Sequence, residues 1–574
     1  MQAPVTPRTL LALTQRPRFA YFSMEIALES GVHTYSGGLG VLAGDTLRSA
    51  ADLAIPMVAV SLVSRAGYFK QVIDPDGRQR EEPAHWSPED QLIPLSAKVA
   101  LQINGRAVWI TAWLYTLPGR LDGDQPVILL DTRLPENHPD DQTLTDHLYG
   151  GDEAYRFKQE MVLGMGGVRM LRALGFEISQ YHMNEGHAAL LALELLNHHA
   201  RPVEHVRPGE SRYAPPMVRE LCSFTTHTPV EAGHDQFDYD LVLSHLGDFI
   251  DLATLKQLAG EQRLNMTRLA LNLSEFVNGV AKKHAEVSRG FFPGYRLHAI
   301  TNGVHPATWT APSFAALYDR WIPGWCHEPE LLTRADQISD VEIDQAHQAA
   351  REALVRTVRD RTGFELAPDR PIIGFARRMT AYKRPLLLFS QLDRLRATAQ
   401  EFPFQIVVAG KAHPRDDAGK QAIHRLHQLA NEIRNEIPMV FVPDHDMDLG
   451  LALTSGADIW LNTPLRPLEA SGTSGMKAAL NGVPQLSVLD GWWIEGCIED
   501  VTGWAIGSGH DPDDTTEATA LYDVLQNKVL PLYHGYRGGR TAWFQVMKQA
   551  IAKNASFFNS HRMMRRYATE AYLR

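Results

Sequence analysis

Residues 458–488 read DIWLNTPLRPLEASGTSGMKAALNGVPQLSV. This stretch predicts a strand over Asp458–Leu461, a glycine-rich turn, a short helix over Ala478–Asn481 and a second strand over Gln485–Val488. A strand, a helix and a strand in this order form the crossover unit of a parallel sheet that is covered by helices. The stretch therefore predicts an α/β fold.

The same alternation of short β-branched runs and longer amphipathic runs recurs along the whole chain. Val99–Leu117 instead predicts a hairpin that turns at Asn104-Gly105. The further predicted strands are Phe19–Met24, Met57–Leu62, Val127–Asp131, Ser179–Met183, Ser223–His227, Ile372–Ala376, Phe404–Ala409 and Met439–Val442. The further predicted helices are Glu153–Leu174, Ala188–His198, Gln345–Arg359, Arg384–Arg396 and Ala418–Arg434.

Strands and helices of this kind fill two halves, which Pro306–Pro368 connects. We expect two Rossmann-like domains, residues 1–310 and residues 311–574, that face each other across a cleft. This is the GT-B architecture of glycosyl transfer. Ligands of open α/β sheets bind beyond the carboxyl ends of the strands, so the cleft is the expected site.

The bulk composition is that of a globular protein, with 574 residues, 44% hydrophobic and 21% charged. A net charge of -11 argues against a general nucleic-acid binder, whose surface would be basic. The apolar run Leu10–Leu13 is too short for a signal peptide, and no run approaches the roughly 18 apolar residues of a membrane span. A cytoplasmic protein is the expectation. The three cysteines, which are far apart, predict neither a disulfide framework nor a zinc site.

Lys477 follows the glycine-rich, hydroxylated run Glu469–Gly475 and leads into an apolar helix. Unpaired N–H groups at such a helix start favour an anion. A lysine just past an anion site is suited to hold an aldehyde cofactor that carries a phosphate, namely pyridoxal 5′-phosphate (PLP). The alternative is an ordinary solvated helix lysine.

Two further segments suggest phosphate binding. Arg377–Arg384 places four cations directly after the apolar strand Ile372–Ala376, where they need an anionic partner or solvent. The alternative is a solvated basic helix start. Ser36–Gly40 is a glycine turn whose backbone can approach a phosphate closely, although it lacks the dinucleotide-binding spacing.

Polar residues also end three strand-like runs. Asn184, His227 and Asn302 suit a ligand rich in hydroxyl groups, although a lone histidine is more often a satisfied structural residue. His182 and His187 do not form the H-E-x-x-H zinc pattern, and we predict no metal site. No spacing singles out a pair of carboxylates of the kind that a glycosidase needs.

Taken in order, these segments resemble the α-glucan phosphorylases, the glycogen, starch and maltodextrin phosphorylase family. The resemblance covers most of the chain, and its most specific part is Glu469–Lys477 with the following Asn481-Gly482. The segments that carry it are Tyr21–Glu25, Ser36–Gly40, Gly67–Gln71, Val277–Lys282, Thr301–Val304, Tyr382–Arg384, Glu469–Gly482 and Asp490-Gly491.

The resemblance implies reversible, configuration-retaining phosphorolysis. A terminal α-1,4-linked glucosyl unit of glycogen or maltodextrin passes to inorganic phosphate and gives α-glucose 1-phosphate. PLP is the implied cofactor, and its 5′-phosphate is the acid–base group. The family is commonly dimeric, so a homodimer is expected, and no nucleic-acid or membrane partner is expected.

The resemblance also implies roles for individual residues. Lys477 matches the lysine that holds PLP as a Schiff base, and Glu469 with the basic cluster holds the charged reacting state. Thr473, Ser474 and Arg377 match the positions that bind the cofactor phosphate, Arg378 and Lys383 match the pair that grips the substrate phosphate, and Gly37 and Gly38 match the loop over the phosphates. The positions that match contacts to the glucosyl unit are His227, Asn302, Glu469, Ser471 and Gly472, to which we add Asn184.

The chain departs from the family pattern at several points. His445-Asp446 stands where the well-known forms carry Tyr-Arg near the cofactor, so His445 is our candidate there. Ala27 replaces an aromatic residue, and Gly475 replaces an asparagine. The chain is also shorter than the regulated forms, so we expect no phosphorylation switch or nucleotide effector site.

Two other functions compete with phosphorolysis. One is a nucleotide-sugar-dependent glucan synthase of the same architecture, in which Lys477 would be an ordinary residue. The other is a non-catalytic glucan-binding protein. The complete Glu469–Lys477 run argues against the first, and the intact Arg378, Lys383 and Lys477 argue against the second.

Overall fold

The computed structural model of the chain describes residues 14–120, 123–207, 210–228, 233–507, 513–535 and 540–573. The run Leu10–Leu13 lies outside these residues. Within them, none of the helices is both long and apolar enough to cross a membrane.

The first half of the chain is built on a ten-stranded sheet. Its strand order is β14-β13-β10-β9-β1-β2-β8-β7-β5, with β6 paired to β7. The pairs from β14 to β8 are parallel, whereas β7 pairs with β8, β5 and β6 in antiparallel fashion. The strands are β1 Phe19–Ser23, β2 Met57–Leu62, β3 Lys70–Ile73, β4 Gln79–Glu82, β5 Ile93–Pro94, β6 Val99–Ile103, β7 Arg106–Leu117, β8 Gln125–Asp131, β9 Gln180–Asn184, β10 Cys222–Thr225, β11 Gln236–Asp238, β12 Arg263–Asn265, β13 Phe276–Gly279 and β14 His298–Ala299.

The second half carries a six-stranded sheet of order β17-β16-β15-β18-β19-β20. All of its pairs are parallel, and the order is that of a doubly wound Rossmann sheet. All of its strands except β20 are buried at every residue, because helices cover both faces. The strands are β15 Ile372–Ala376, β16 Gln405–Ala409, β17 Met439–Val442, β18 Ile459–Asn462, β19 Gln485–Val488 and β20 Gly503–Ile506.

The helices fill the connections between these strands. Glu153–Ala173 is one continuous rod, because a π-helical turn at Val162–Gly166 joins two α-helices. The α-helices are Gly38–Asp52, Pro88–Gln91, Pro139–Gln142, Glu153–Met161, Gly167–Ala173, Leu190–His198, Pro215–Leu221, Tyr239–Leu246, Leu252–Ala259, Met266–Asn272, Lys282–Phe291, Pro306–Trp309, Pro312–Trp321, Asp340–Thr362, Leu392–Glu401, Asp417–Glu432, Met447–Gly456, Thr473–Leu480, Trp493–Gly496, Asp514–Val524, Leu530–Tyr533, Arg540–Gln549 and Ser560–Tyr567.

The last described residues return to the first sheet. Tyr567 and Tyr572 pack in one apolar cluster with Phe19 of β1. Their hydroxyl groups also enter a buried polar network, since Asn278 Nδ2 donates to Tyr567 at 2.9 Å and Tyr572 lies 2.6 Å from His182 Nδ1. The end of the chain therefore belongs to the packing of the N-terminal half. The division of the chain near residue 310 stays a prediction.

The α/β class, the parallel sheets and the two-domain GT-B architecture are confirmed. The predicted hairpin also forms, with positive φ angles at Asn104 (56°) and Gly105 (72°). The helix predicted over Arg384–Arg396 is wrong, because Arg384 takes a left-handed conformation and Pro385 follows. The α-helix begins only at Leu392.

The helix predicted from Ala478 begins earlier, at Thr473. Gly472 caps it with φ 86°, a conformation that glycine adopts readily. Lys477 therefore lies inside the helix rather than before it.

Candidate active site

The candidate site lies where the strand order reverses in each sheet. In the second sheet this point lies between β15 and β18, and in the first sheet between β1 and β9. Loops that leave neighbouring strands in opposite directions open a crevice there. Arg377 and Arg378 directly follow β15, whereas Glu25 and Glu185 follow β1 and β9.

Glu469 joins two of the predicted cations. Its Oε2 atom lies 2.5 Å from Arg377 Nη2 and 2.5 Å from Lys383 Nζ. Burial raises the pKa of Glu469, but the charges of Arg377 and Lys383 outweigh it and hold the pKa below its usual value. The carboxylate is therefore ionised and held by charge-assisted bonds, which contribute about 1.5–3 kcal/mol each.

Asp490 positions Glu469 by binding its backbone N–H. Its Oδ2 atom accepts the N–H of Glu469 at 2.8 Å, and its Oδ1 atom accepts the N–H of Gly491 at 2.9 Å. Burial raises the pKa of Asp490 to about 6. Asp490 was quoted in the sequence without a role, and its contact with Glu469 assigns it one as a positioning residue.

The glycine turn lies against Arg378. A Cβ atom at Gly37 would lie 3.0 Å from Arg378 Nη2, whereas a Cβ at Gly38 would meet none of the described atoms within 4 Å. The turn therefore packs closely against Arg378 at Gly37, whereas the described atoms leave space beside Gly38. Burial lowers the pKa of Arg378, but the negative charge of Glu25 and other groups raises it above its usual value, so the guanidinium is firmly charged.

Glu25, which the sequence interpretation left without a role, fixes this turn. Its Oε2 atom accepts the N–H groups of Ser36 at 2.6 Å and Gly37 at 3.1 Å. Its Oε1 atom accepts the hydroxyl of Tyr149 at 2.9 Å. The side chain is buried, so these three bonds set the turn at a fixed distance from Arg378.

The amine of Lys477 lies over an aromatic ring. Its Nζ atom is 3.4 Å from the centroid of Trp309, and the indole Nε1 donates to both carboxylate oxygens of Asp45 at 2.9 Å. Burial lowers the pKa of Lys477 to about 8, and the charge of Asp45 opposes this shift. Near neutral pH a useful fraction of this amine is therefore uncharged and nucleophilic.

Asp45 and Trp309 were missed in the sequence. Asp45 is an acid within an otherwise apolar part of the helix that follows the glycine turn, and that break in the pattern is the available signal. Nothing in the sequence places Trp309 near Lys477.

The helix start beside Lys477 is open to an anion. Gly472 supplies no side-chain cap to the helix Thr473–Leu480, so its first N–H groups are free of the usual partner. The Ser474 hydroxyl accepts from Trp460 Nε1 at 3.1 Å, whereas Arg377 is turned towards Glu469. The roles of Thr473, Ser474 and Arg377 towards a cofactor phosphate stay predictions.

His445 lies near Lys477 and Trp309. A Cβ atom at Gly450 would lie 3.5 Å from the His445 ring and 3.6 Å from Trp309. Burial lowers the pKa of His445 to about 4, so the imidazole is neutral. Asp446 is turned elsewhere, because it caps the helix Met447–Gly456 and pairs with Arg361 at 2.7 Å.

Asn184 and His227 form one unit at the first sheet. The Asn184 Oδ1 atom lies 2.6 Å from His227 Nε2, and Glu185 accepts the His227 N–H at 2.7 Å. Burial lowers the pKa of His227 to about 3. The ring is thus neutral. Because its Nε2–H donates a hydrogen bond to Asn184 Oδ1, its Nδ1 atom is an acceptor.

Several buried polar atoms of the predicted site lack a hydrogen-bond partner among the described residues. They are Arg377 Nη1, Asn302 Oδ1 and Ser471 Oγ. Buried polar atoms are normally paired, so atoms of this kind indicate a missing ligand or ordered water. Asn302 Oδ1 and Ser471 Oγ are thus available for a ligand, and their contact with a glucosyl unit stays a prediction.

The fold and the site together define a class. Two open α/β sheets whose switch points face each other, with a basic pocket at one of them, are the mark of a GT-B protein that handles a phosphorylated or phosphate-accepting ligand.

Comparison with known proteins narrows this class. Residues 235–506 match the family model described as carbohydrate phosphorylase. The maltodextrin phosphorylase of Thermococcus litoralis is 38% identical over 96% of this chain and 70% of its own length. The glycogen phosphorylase of Mycobacterium tuberculosis is 36% identical over 96% and 70%, and that of Aquifex aeolicus is 33% identical over 97% and 86%. The chain belongs to the carbohydrate phosphorylase family.

Proposed function

We propose that the protein is an α-glucan phosphorylase that transfers terminal α-1,4-linked glucosyl units of glycogen or maltodextrin to inorganic phosphate. The product is α-glucose 1-phosphate, formed reversibly with retention of configuration. One observation carries the proposal beyond family membership, and it is the set of cationic donors that the pocket leaves unpaired. Glu469 holds Arg377 Nη2 and Lys383 Nζ, whereas Arg377 Nη1 has no partner among the described atoms and Arg378 forms no salt bridge with a described residue.

These unpaired donors favour an anion. Arg378 is exposed beside the glycine turn, so a ligand can reach its guanidinium, and Arg377 Nη1 is buried without a partner among the described atoms. A phosphate would supply negative charge and acceptor atoms. Arg378 presents a planar fork for two phosphate oxygens, and Lys383 adds a point charge.

The residues around Lys477 fit PLP. The amine is desolvated, its pKa is lowered to about 8, and an uncapped helix start lies one turn before it. Lys477 would hold the cofactor aldehyde, and the first N–H groups of the helix with Thr473 would hold its phosphate. Trp309, fixed by Asp45, and His445 would line the ring site. When bound, PLP supplies its 5′-phosphate as the acid–base group.

The other residues position the two substrates. Arg378 and Lys383 bind inorganic phosphate, and the turn at Gly37-Gly38, fixed by Glu25, covers it. Glu469 keeps its negative charge beside the glucosyl unit, where an oxocarbenium-like state develops positive charge. Asn184, His227, Asn302, Ser471 and Gly472 hold hydroxyl groups of that unit. The N-terminal half thus contributes mainly glucosyl contacts, and the C-terminal half carries the cofactor and phosphate sites.

Borohydride reduction of the purified protein, followed by peptide mass mapping, tests the cofactor. We expect a pyridoxyl adduct on Lys477, together with release of glucose 1-phosphate from maltodextrin that depends on phosphate. An unmodified Lys477 in the presence of excess PLP would contradict the proposal. Transfer from a nucleotide sugar would then favour the synthase, and glucan binding without turnover would favour the non-catalytic protein.

The pH dependence of cofactor capture follows from Lys477. The amine reacts only when neutral, and its pKa is lowered to about 8. We expect the rate at which PLP is captured by apoprotein to rise with pH to a midpoint near 8, and to fall about tenfold per pH unit well below it. Borohydride trapping at fixed times between about pH 6 and about pH 10 measures this.

Asp45→Asn provides the internal comparison. The substitution keeps an acceptor for Trp309 Nε1 but removes the negative charge that raises the pKa of Lys477. The midpoint should therefore move to lower pH. A wild-type midpoint near the ordinary lysine value of about 10.4 would contradict the lowered pKa.

Glu25→Gln should separate binding from turnover. The amide oxygen can still accept the two loop N–H groups but without a full charge, and the NH2 group cannot accept the Tyr149 hydroxyl, so the turn is held less firmly. We expect kcat to fall about tenfold while the KM for phosphate does not rise, since a negative charge beside Arg378 is lost. Steady-state kinetics with varied phosphate measure the split, with the exposed Glu29→Gln as the control. A rise in KM at constant kcat would overturn the positioning role.

A further inference from the structure

A second cluster of chemically active side chains lies away from this site. Asp52, His305 and His561 are all buried, with 3%, 5% and 1% exposure. One ligand atom of each lies within 4.8 Å of the others. Asp52 ends the helix that the glycine turn begins, His305 follows β14, and His561 lies in the helix Ser560–Tyr567.

The distances suit a tetrahedral metal ion. His305 Nε2 lies 3.0 Å and His561 Nε2 lies 3.5 Å from Asp52 Oδ2. In a tetrahedral zinc site with bonds of about 2.05 Å, neighbouring ligand atoms are about 3.3 Å apart. The two separations bracket this value.

The side-chain atoms of Asp52, His305 and His561 that point away from one another form hydrogen bonds, as the outer atoms of metal ligands usually do. His305 Nδ1 lies 2.7 Å from the Thr308 hydroxyl, and His561 Nδ1 lies 3.2 Å from the Ser49 hydroxyl. Asp52 Oδ1 accepts the Arg120 N–H at 2.9 Å. Partners of this kind orient the rings and leave the Nε2 atoms and Asp52 Oδ2 to face each other.

The hydrogen bonds of the cluster leave two of its features unexplained. His561 Nε2 is buried and has no hydrogen-bond partner in the described part of the chain. Asp52 carries a buried charge whose ion-pair partners, within the same residues, are the two imidazoles and no lysine or arginine. A divalent cation would satisfy both.

We propose that Asp52, His305 and His561 bind a divalent transition metal ion, Zn²⁺ in the first instance, as a structural site. Two imidazole nitrogens and one carboxylate oxygen favour such a metal over Ca²⁺ or Mg²⁺, which prefer oxygen ligands. Water completes the coordination. The proposal is independent of the proposed function.

The metal would join three separate segments. These are the helix that starts with the glycine turn, the loop that carries Asn302, and the C-terminal helix. The last two are already neighbours, since the Ser560 N–H donates to Val304 at 2.9 Å. The ion would thus tie the end of the chain to two loops of the candidate active site.

Metal titration of the full, tag-free chain tests the site. Protein is treated with EDTA, desalted, and titrated with Zn²⁺ or Co²⁺. We expect about one retained ion per chain by elemental analysis, visible absorption of tetrahedral Co²⁺, and a rise in Tm with Zn²⁺. His561→Gln and Asp52→Asn should weaken retention by at least about tenfold, whereas the exposed His85→Gln should not.

Two results would overturn the proposal. One is wild-type protein that retains well under one equivalent and shows no change in Tm, which would leave a hydrogen-bonded triad only. The other is retention that His561→Gln and Asp52→Asn leave unchanged, which would place the ion elsewhere. If a variant fails to fold by circular dichroism, the wild-type titration and Co²⁺ spectrum decide alone.

Discussion

Lys477→Ala is expected to give a folded chain that holds no PLP and has lost phosphorolysis by at least about a thousandfold. The amine is the proposed attachment point for the cofactor, and it contacts the face of Trp309. Removing the amine does not leave the nearby Asp45 carboxylate without a partner, because Asp45 stays bonded to the indole of Trp309. Absorbance of bound cofactor and release of glucose 1-phosphate measure the two losses.

The stability of the apoprotein separates loss of chemistry from loss of fold. The pKa of Lys477 is lowered in the folded state, so the charged amine destabilises the fold at every pH below its folded value of about 8, and this cost fades as pH rises towards the unfolded value. The Tm of apo Lys477→Ala at neutral pH should therefore equal or exceed that of the apo wild type. A marked drop would mean that the lysine is a structural residue.

Two further variants sharpen this comparison. Lys477→Arg keeps a cation over Trp309 but cannot present a neutral amine, so it should fail like the alanine variant. Lys553→Ala removes an exposed lysine of the same half and should change neither cofactor content nor turnover. Full activity in Lys477→Arg would refute covalent attachment at this position.

The fold was largely predictable because its strands are buried apolar runs separated by clear turns. β2, β15, β17 and β19 begin and end where the pattern predicts. A strand of a doubly wound sheet is buried on both faces, so its composition differs sharply from its flanks. The order of the strands was not predictable, because it depends on which edges pair.

Errors arose where a local conformation overrode a periodic pattern. Arg384–Arg396 has helical periodicity. However, Arg384 has a left-handed backbone conformation and a buried guanidinium, and both prevent an α-helix from starting there. That guanidinium pairs with Glu517 and bonds the carbonyl oxygens of Thr463 and Pro464. Its partners lie far along the chain, so only the folded structure shows them.

The sequence predicted which loops form the site but not which of their side chains contact each other. The basic run after β15 and the glycine turn after β1 both follow strands, where ligands bind. The contacts of Glu25 with the turn and of Asp45 with Trp309 join segments that are remote in sequence. Asp52, His305 and His561 show no metal-ligand spacing for the same reason.

Arg378→Ala should weaken the use of phosphate about a hundredfold to a thousandfold in kcat/KM while the cofactor stays bound. The guanidinium lies against Gly37 and interacts with the charge of Glu25. Without it, Glu25 faces the incoming phosphate with less compensation, so repulsion adds to the lost hydrogen bonds. Initial rates with varied phosphate at saturating maltodextrin measure the effect.

The conservative variant shows which property of Arg378 matters. Arg378→Lys restores the charge but not the planar fork, so it should recover only part of the loss, mainly in KM. Arg425→Ala, on the exposed face of the helix Asp417–Glu432, serves as the control and should behave as wild type. Because Arg378 is proposed to bind the substrate phosphate and not the cofactor, cofactor absorbance should be the same in all three variants. Unchanged phosphate dependence in Arg378→Ala would mean that Lys383 and Arg377 alone bind the substrate anion.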